Sequence, residues 1–202
     1  MKSRSRSLLI ILAMCASSAS QATIYTARLS GPAEAPPNAS PGTGSATVNF
    51  DLTAHLLNID MSFSGLTSGT TASHIHCCSA PPAAAPVATQ VPTFTAFPLG
   101  VTSGTYGRSF NTLDPATWNP TFVTANGGTA AGAEAALAAG LAAGVSYLNI
   151  HTSAFPSGEI RGFLTAASTG QVPEPPAIAL FAVAVAALVA TRRKHRQSTS
   201  AR

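Results

Sequence analysis

The chain has 202 residues, of which 46% are hydrophobic but only 9% charged, with 16 Gly and 15 Pro. That is enough for one ordinary domain plus targeting segments, and the shortage of Lys and Glu argues against a helical bundle. The formal charge of +4 sits at the two ends: within residues 23–171, three arginines (Arg28, Arg108, Arg161) meet six carboxylates, a balance of −3. A nucleic-acid binder needs its basic residues on the folded part, so nucleic acid is excluded as a partner.

Residues 1–22 have the three parts of a secretory signal peptide. Lys2, Arg4 and Arg6 form the basic region, an apolar run follows over 8–16, and Ser20, Gln21 and Ala22 lead to a cut between Ala22 and Thr23. The apolar run is too short to span a bilayer. The chain is therefore expected to be exported through the inner membrane.

Beyond the cut, Tyr25, Ala27 and Leu29 alternate with polar residues as a first strand. Residues 31–44 are loop, because their prolines cannot join a ladder and their glycines punctuate it. Ala46, Val48, Phe50 and Leu52 form one period-two run, and Leu57, Ile59, Met61 and Phe63 form another, separated by a turn at 53–55. These two should pair as a hairpin. The strand SHIHCC (73–78) follows, with Ile75 facing inward and His74 and His76 outward. A Pro/Ala loop over 79–92, a short strand near 93–97 and another over 105–110 come next. Residues 130–143 are the only expected helix: Ala-rich, with Glu134 early and Gly144 suited to its end.

The last part of the domain, 145–166, reads as a hairpin. Leu148 and Ile150 alternate with Tyr147, Asn149 and His151; Pro156, Ser157 and Gly158 form a turn; Ile160 and Leu164 continue on the buried face, with Glu159 and Arg161 on the other. Seven or eight short strands with one Ala-rich helix in a crossover specify an all-β fold over 23–167. The expected form is an antiparallel β-sandwich, immunoglobulin-like or superoxide-dismutase-like.

After the domain, a linker over 168–176 contains Pro173, Glu174 and Pro175. An apolar run over 177–190 and a basic tail over 192–202, opening with Arg192 and Arg193, complete the chain. Fourteen helical residues span about 21 Å, short of a bilayer core of roughly 30 Å. The basic cluster directly behind them is nevertheless a stop-transfer arrangement, so 177–191 is read as a transmembrane helix with a cytoplasmic tail. Residues 172–196 resemble the PEP-CTERM sorting signal of exported bacterial proteins. That resemblance implies recognition by an exosortase-type processing enzyme and cleavage near Pro-Glu-Pro. It also implies a place in the cell envelope or extracellular polymer, with the C-terminal helix a transient or stable membrane anchor.

HIHCC with its Pro/Ala loop, the AALAAGLAAG helix and YLNIHTSAFPSGEIRG resemble the CHRD domain, first described in chordin, over about residues 24–166. The expected role is non-enzymatic, binding or structural, with an extracellular polysaccharide or protein as ligand; the resemblance to chordin implies a protein-ligand module as an alternative and brings no catalytic mechanism with it.

His74 and His76 are two apart on one strand, so their imidazoles share a face. With His151 on a neighbouring strand they could form a three-nitrogen site for Cu or Zn, which makes a metal-dependent redox or metal-sequestering protein the alternative function. An H-x-H strand also resembles part of the copper site of Cu/Zn superoxide dismutase, although the further histidines of that family are missing. The alternative is a framework role, with the rings hydrogen-bonded to backbone or to Glu159. No nucleophile elbow, phosphate loop or H-E-x-x-H occurs, so no catalytic residue is assigned. Glu159 and Arg161 are expected to form a surface ion pair. Cys77 and Cys78, the two cysteines left after export, could form a vicinal disulfide, remain free, or lend Cys78 to a soft metal beside the histidines.

Overall fold

The structure is a computed structural model that describes residues 22–167. Apart from Ala22, the expected signal peptide over 1–22, the Pro173–Glu174–Pro175 motif, the expected transmembrane helix over 177–191 and the tail with Arg192 and Arg193 lie outside the described residues. Among the described residues, no helix is long and apolar enough to cross a membrane.

Period-two alternation carries directly into eight antiparallel strands. They are β1 (Thr23–Ser30), β2 (Thr43–Asp51), β3 (Leu56–Ser64), β4 (Thr70–Cys77), β5 (Gly104–Asn111), β6 (Ser146–Thr152), β7 (Ile160–Phe163) and β8 (Thr165–Ala166). Strand order is β4-β6-β7-β1-β2-β3-β5, with β8 paired to β1. The fold is thus all-β as expected, and the two layers of the sandwich are limbs of one sheet curled into a half-barrel. In β3, Leu57, Ile59, Met61 and Phe63 are buried and the residues between them are not. The β2–β3 hairpin pairs Phe50 with Leu57, and Asp51 closes its turn by accepting from the amides of Thr53 and Ala54, both at 2.9 Å.

The crossover from β5 to β6 holds two helices. The longer, α2 (Ala130–Ala142), is capped by the Thr129 hydroxyl, which accepts from the Gly132 amide at 3.0 Å. It ends where Gly144 takes a φ of +68° and Val145 donates to the Gly140 carbonyl at 2.9 Å. Ala133, Leu137 and Leu141, four residues apart, turn one stripe into the core. Glu134 accepts from Thr112 Oγ1 and pairs with His55 Nδ1 at 3.0 Å, tying the helix to the β2–β3 turn. The shorter helix, α1 (Pro120–Ala125), has no counterpart in the sequence reading. Its six residues are too few to show a period, and its signals are local: Asn119 caps the Thr121 amide and Pro120 follows it.

The strand expected near 93–97 is absent. That stretch is a series of bends that buries Phe94 and Phe97 against Tyr106. Its polar groups are met individually, with Ser73 N donating to Thr93 Oγ1 at 3.0 Å and Thr95 N to Gln90 Oε1 at 3.0 Å. The preceding loop follows the outer edge of β4, where Ala88 N donates to Ile75 O and Cys77 N to Pro86 O. It protects what would otherwise be an open sheet edge.

Candidate metal centre

The site lies on the second face of the β4-β6-β7 limb. Opposite residues of an antiparallel pair share a face, and the register sets His74 against Asn149 and Asn149 against Arg161; one step along, His76 lies against Tyr147 and Tyr147 against Phe163. His151 is two residues beyond Asn149. The alternation in HIH and in YLNIH therefore gathers His74, His76, His151, Asn149 and Tyr147 into one patch.

That patch does not face water. Loop residues 82–92 lie over it, leaving His74 6% and His76 8% exposed, with His151 half-buried. The covering loop binds through its backbone carbonyls: His74 Nε2 donates to Pro92 O at 2.8 Å and His76 Nδ1 to Ala85 O at 2.7 Å. His151 Nδ1 donates to Pro156 O at 2.9 Å in the β6–β7 turn. Tyr147 stacks on His76 with ring centres 4.7 Å apart, and Arg161 Cζ lies 4.7 Å from the Tyr147 ring centre.

A carbonyl oxygen only accepts, so each of these bonds fixes a ring N–H and hence a tautomer. The remaining nitrogens, His74 Nδ1, His76 Nε2 and His151 Nε2, are then lone-pair acceptors. The three imidazoles' ligand atoms lie within 4.8 Å of one another. His74 Nδ1 and His151 Nε2 are 3.2 Å apart, and His76 Nε2 is buried without a hydrogen-bond partner among the described residues. Two lone pairs facing each other at that distance repel unless a proton or a cation lies between them. Burial disfavours the proton, holding His74 and His76 at about 4 and His151 below its usual value. The Pro92 and Ala85 carbonyls oppose that shift without overcoming it. Two nitrogens each about 2.0 Å from a tetrahedral ion are about 3.3 Å apart, close to the His74–His151 separation. The widest pair would have to close by roughly 1.5 Å, within reach of side-chain rotation. A ring nitrogen held to a carbonyl while its partner is aimed inward is also the usual outer-shell arrangement of metal-binding histidine.

Cys78 is placed apart from this cluster. Cys77 and Cys78 are joined by a disulfide whose sulfurs lie 3.9 and 3.8 Å from Ala136 O on α2. A Cβ built on Gly140 would approach them to 2.4 and 2.7 Å, so the helix needs glycine there. The sulfurs pack on the helix side of the limb, away from the imidazoles.

Glu159 and Arg161 depart from the expected surface pair. Both are buried, at 0% and 1% exposure, and they serve different networks. Glu159 accepts from Ser40 Oγ at 2.6 Å, Thr152 Oγ1 at 2.6 Å, Thr67 N at 2.7 Å and Thr67 Oγ1 at 3.0 Å. Burial would raise its pKa, but those four donors outweigh it and hold the carboxyl below its usual value. Arg161 instead donates to Ala33 O and to Pro82 O and lies 3.8 Å from Glu34. Glu34 was not singled out in the sequence, where it stands in a proline-rich loop. Burial pushes its carboxyl up to about 7 against the pull of Arg161, and its Oε1 is buried without a partner among the described residues. Asn149, also missed, keeps a buried Oδ1 unpartnered; its place between Tyr147 and His151 in the period-two pattern was the available signal. An unsatisfied buried polar atom costs about 1–3 kcal/mol.

Thr23, the residue behind the expected signal cut, is the first residue of β1 and pairs with Phe50, while Ala22 precedes the strand. The CHRD domain family model matches residues 25–164. No curated protein and no solved structure matches the chain. The family match spans more than half of the chain and covers β1 through β7, so the chain belongs to the CHRD domain family.

Proposed function

We propose that this domain is a transition-metal-binding module that works outside the cytoplasm and holds Cu or Zn through His74, His76 and His151. The carrying observation is the convergence of three imidazoles, one ring nitrogen of each within 4.8 Å of the others, while another nitrogen of each ring is engaged by a backbone carbonyl. A framework role for the histidines would be satisfied by one hydrogen bond per ring; it does not account for acceptors turned toward one another 3.2 Å apart. Neutral imidazoles suit both metals. The role is binding, sequestration or structural reinforcement rather than catalysis.

Export and sorting belong to the same proposal. A signal peptide ending at Ala22 and a PEP-CTERM tail with Pro173, Glu174, Pro175, Arg192 and Arg193 would deliver the domain to the bacterial cell envelope or extracellular polymer after exosortase processing. Its further partners there would be a polysaccharide or a protein ligand of the kind the chordin resemblance implies.

The test is metal analysis of the full chain, expressed with its own export signal and without a His-tag, followed by titration with Zn(II) and Cu(II). One equivalent of metal per chain, lost in a His74→Ala/His76→Ala variant, is the expected result. No bound metal and no uptake by the wild type would refute the proposal.

A further inference from the structure

Asn149 stands at the centre of the histidine patch. It is directly opposite His74 across the β4–β6 pair, diagonal to His76, and two residues from His151 on its own strand. Its side chain is 1% exposed, and Oδ1 has no hydrogen-bond partner among the described residues. Arg161, its neighbour on β7, donates through Nε to Ala33 O and through Nη2 to Pro82 O and makes no hydrogen bond to that oxygen. His76 Nε2 is itself buried and unpartnered. Two unpartnered acceptors therefore lie on the same face of the β4–β6 pair as the facing nitrogens of His74 and His151.

The three imidazoles and the Asn149 amide thus share one buried patch, in which His76 Nε2 and Asn149 Oδ1 are acceptors without a partner among the described residues. We propose that Asn149 Oδ1 is the fourth donor, closing the centre as three imidazole nitrogens and one amide oxygen; the assignment rests on the metal-binding function proposed above. An amide oxygen is a neutral ligand, so the set carries no charge of its own and leaves the ion's charge uncompensated beside Arg161. Four protein donors complete a tetrahedron, the mark of a site that retains its metal; catalytic centres keep one position open for water or substrate. The domain would hold an ion rather than turn over a substrate on it.

The experiment compares Zn(II) affinity, by competition with a chromophoric chelator, in the full-length wild type, Asn149→Ala and Asn149→Asp. Thermal unfolding of each is measured after chelator treatment, to report the fold independently of the metal. Asn149→Ala should weaken Zn(II) binding by about tenfold or more, the scale on which ligand-supporting groups act. Asn149→Asp keeps an oxygen in place and adds a charge, so it should bind Zn(II) at least as tightly as the wild type. Unchanged affinity in Asn149→Ala would overturn the assignment and leave the three-histidine site standing. Equal weakening in both variants, with lowered unfolding temperatures without metal, would also overturn it, by making Asn149 a framework residue. Absence of Zn(II) binding in the wild type would remove the underlying site together with the fourth ligand.

Discussion

Acidification from pH 7 to pH 5 should destabilise the metal-free protein, and two variants should separate the contributions. His74 and His76 are held at about 4 in the fold against 6.5 outside it. Between those values the unfolded chain binds protons that the fold refuses. The stability the pair contributes is therefore present above pH 6.5 and lost as pH falls toward 4. Integrated from pH 7 to 5, each ring accounts for about 2 kcal/mol, or about 4 kcal/mol for the two. His151, lowered in the same direction, adds to the loss. Glu34 acts oppositely, because its carboxyl is raised from 4.5 to about 7 and the fold takes up the proton first. Its penalty, about 3 kcal/mol at pH 7, shrinks to about 1 kcal/mol at pH 5. The net loss is about 2 kcal/mol, a fall in Tm of roughly 5–10 °C for a domain of this size. Chemical unfolding in the presence of chelator, followed by the fluorescence of Trp118, the single tryptophan, reads this directly. Glu34→Gln should lose about 4 kcal/mol over the same interval, and His74→Gln/His76→Gln should gain stability on acidification. Parallel curves for wild type and Glu34→Gln, or an equally steep fall in the histidine variant, would refute the assignment.

Two further substitutions test the parts of the fold that hold the site. Glu159→Gln replaces an acceptor-only group, bonded to Ser40, Thr67 and Thr152, with one that must also donate; it should cost about 2–4 kcal/mol in urea unfolding, since charge-assisted buried bonds are worth about 1.5–3 kcal/mol each, and a loss below 1 kcal/mol would contradict the network. Gly140→Ala should cost about 1–3 kcal/mol by overpacking against the disulfide and Ser146 Oγ, and the cost should shrink, without vanishing, in a Cys77→Ala/Cys78→Ala background, where two of the three atoms that a Cβ would meet are gone; an unchanged cost in that background would show that the disulfide is not what the helix packs against there.

Strand placement was open to reading because burial on one face imposes a period of two, and β1, β2 and β3 show it, while β6 keeps the apolar–polar alternation in its sequence although both its faces are buried. The α2 helix was equally plain, since its alanines favour helix and Thr129 and Gly144 mark its ends. The same periodicity put His74, His76 and His151 on one side of their strands. Where that side pointed was a different matter. Period two separates one face from the other but does not say whether the second face meets water or another part of the chain, and here loop residues 82–92 cover it. Glu159 and Arg161 were misplaced for that reason: two polar residues on one strand look like a surface pair until donors from residues 40 and 67, far away in sequence, are brought against one of them. Asn149 and Glu34 were passed over because an orphaned acceptor is defined by what fails to surround it, and no local pattern encodes that.

By itself, then, the sequence determined the all-β class, the strand periodicity, the helix in the crossover and the shared face of His74 and His76, because each follows from residue spacing along a regular backbone. Only the tertiary structure decided that β4 and β6 are neighbours, that a loop seals the face they share, and which nitrogen of each ring is left as an acceptor. Those outcomes depend on contacts between residues tens of positions apart, where chain closure and the positions of individual carbonyls set the chemistry.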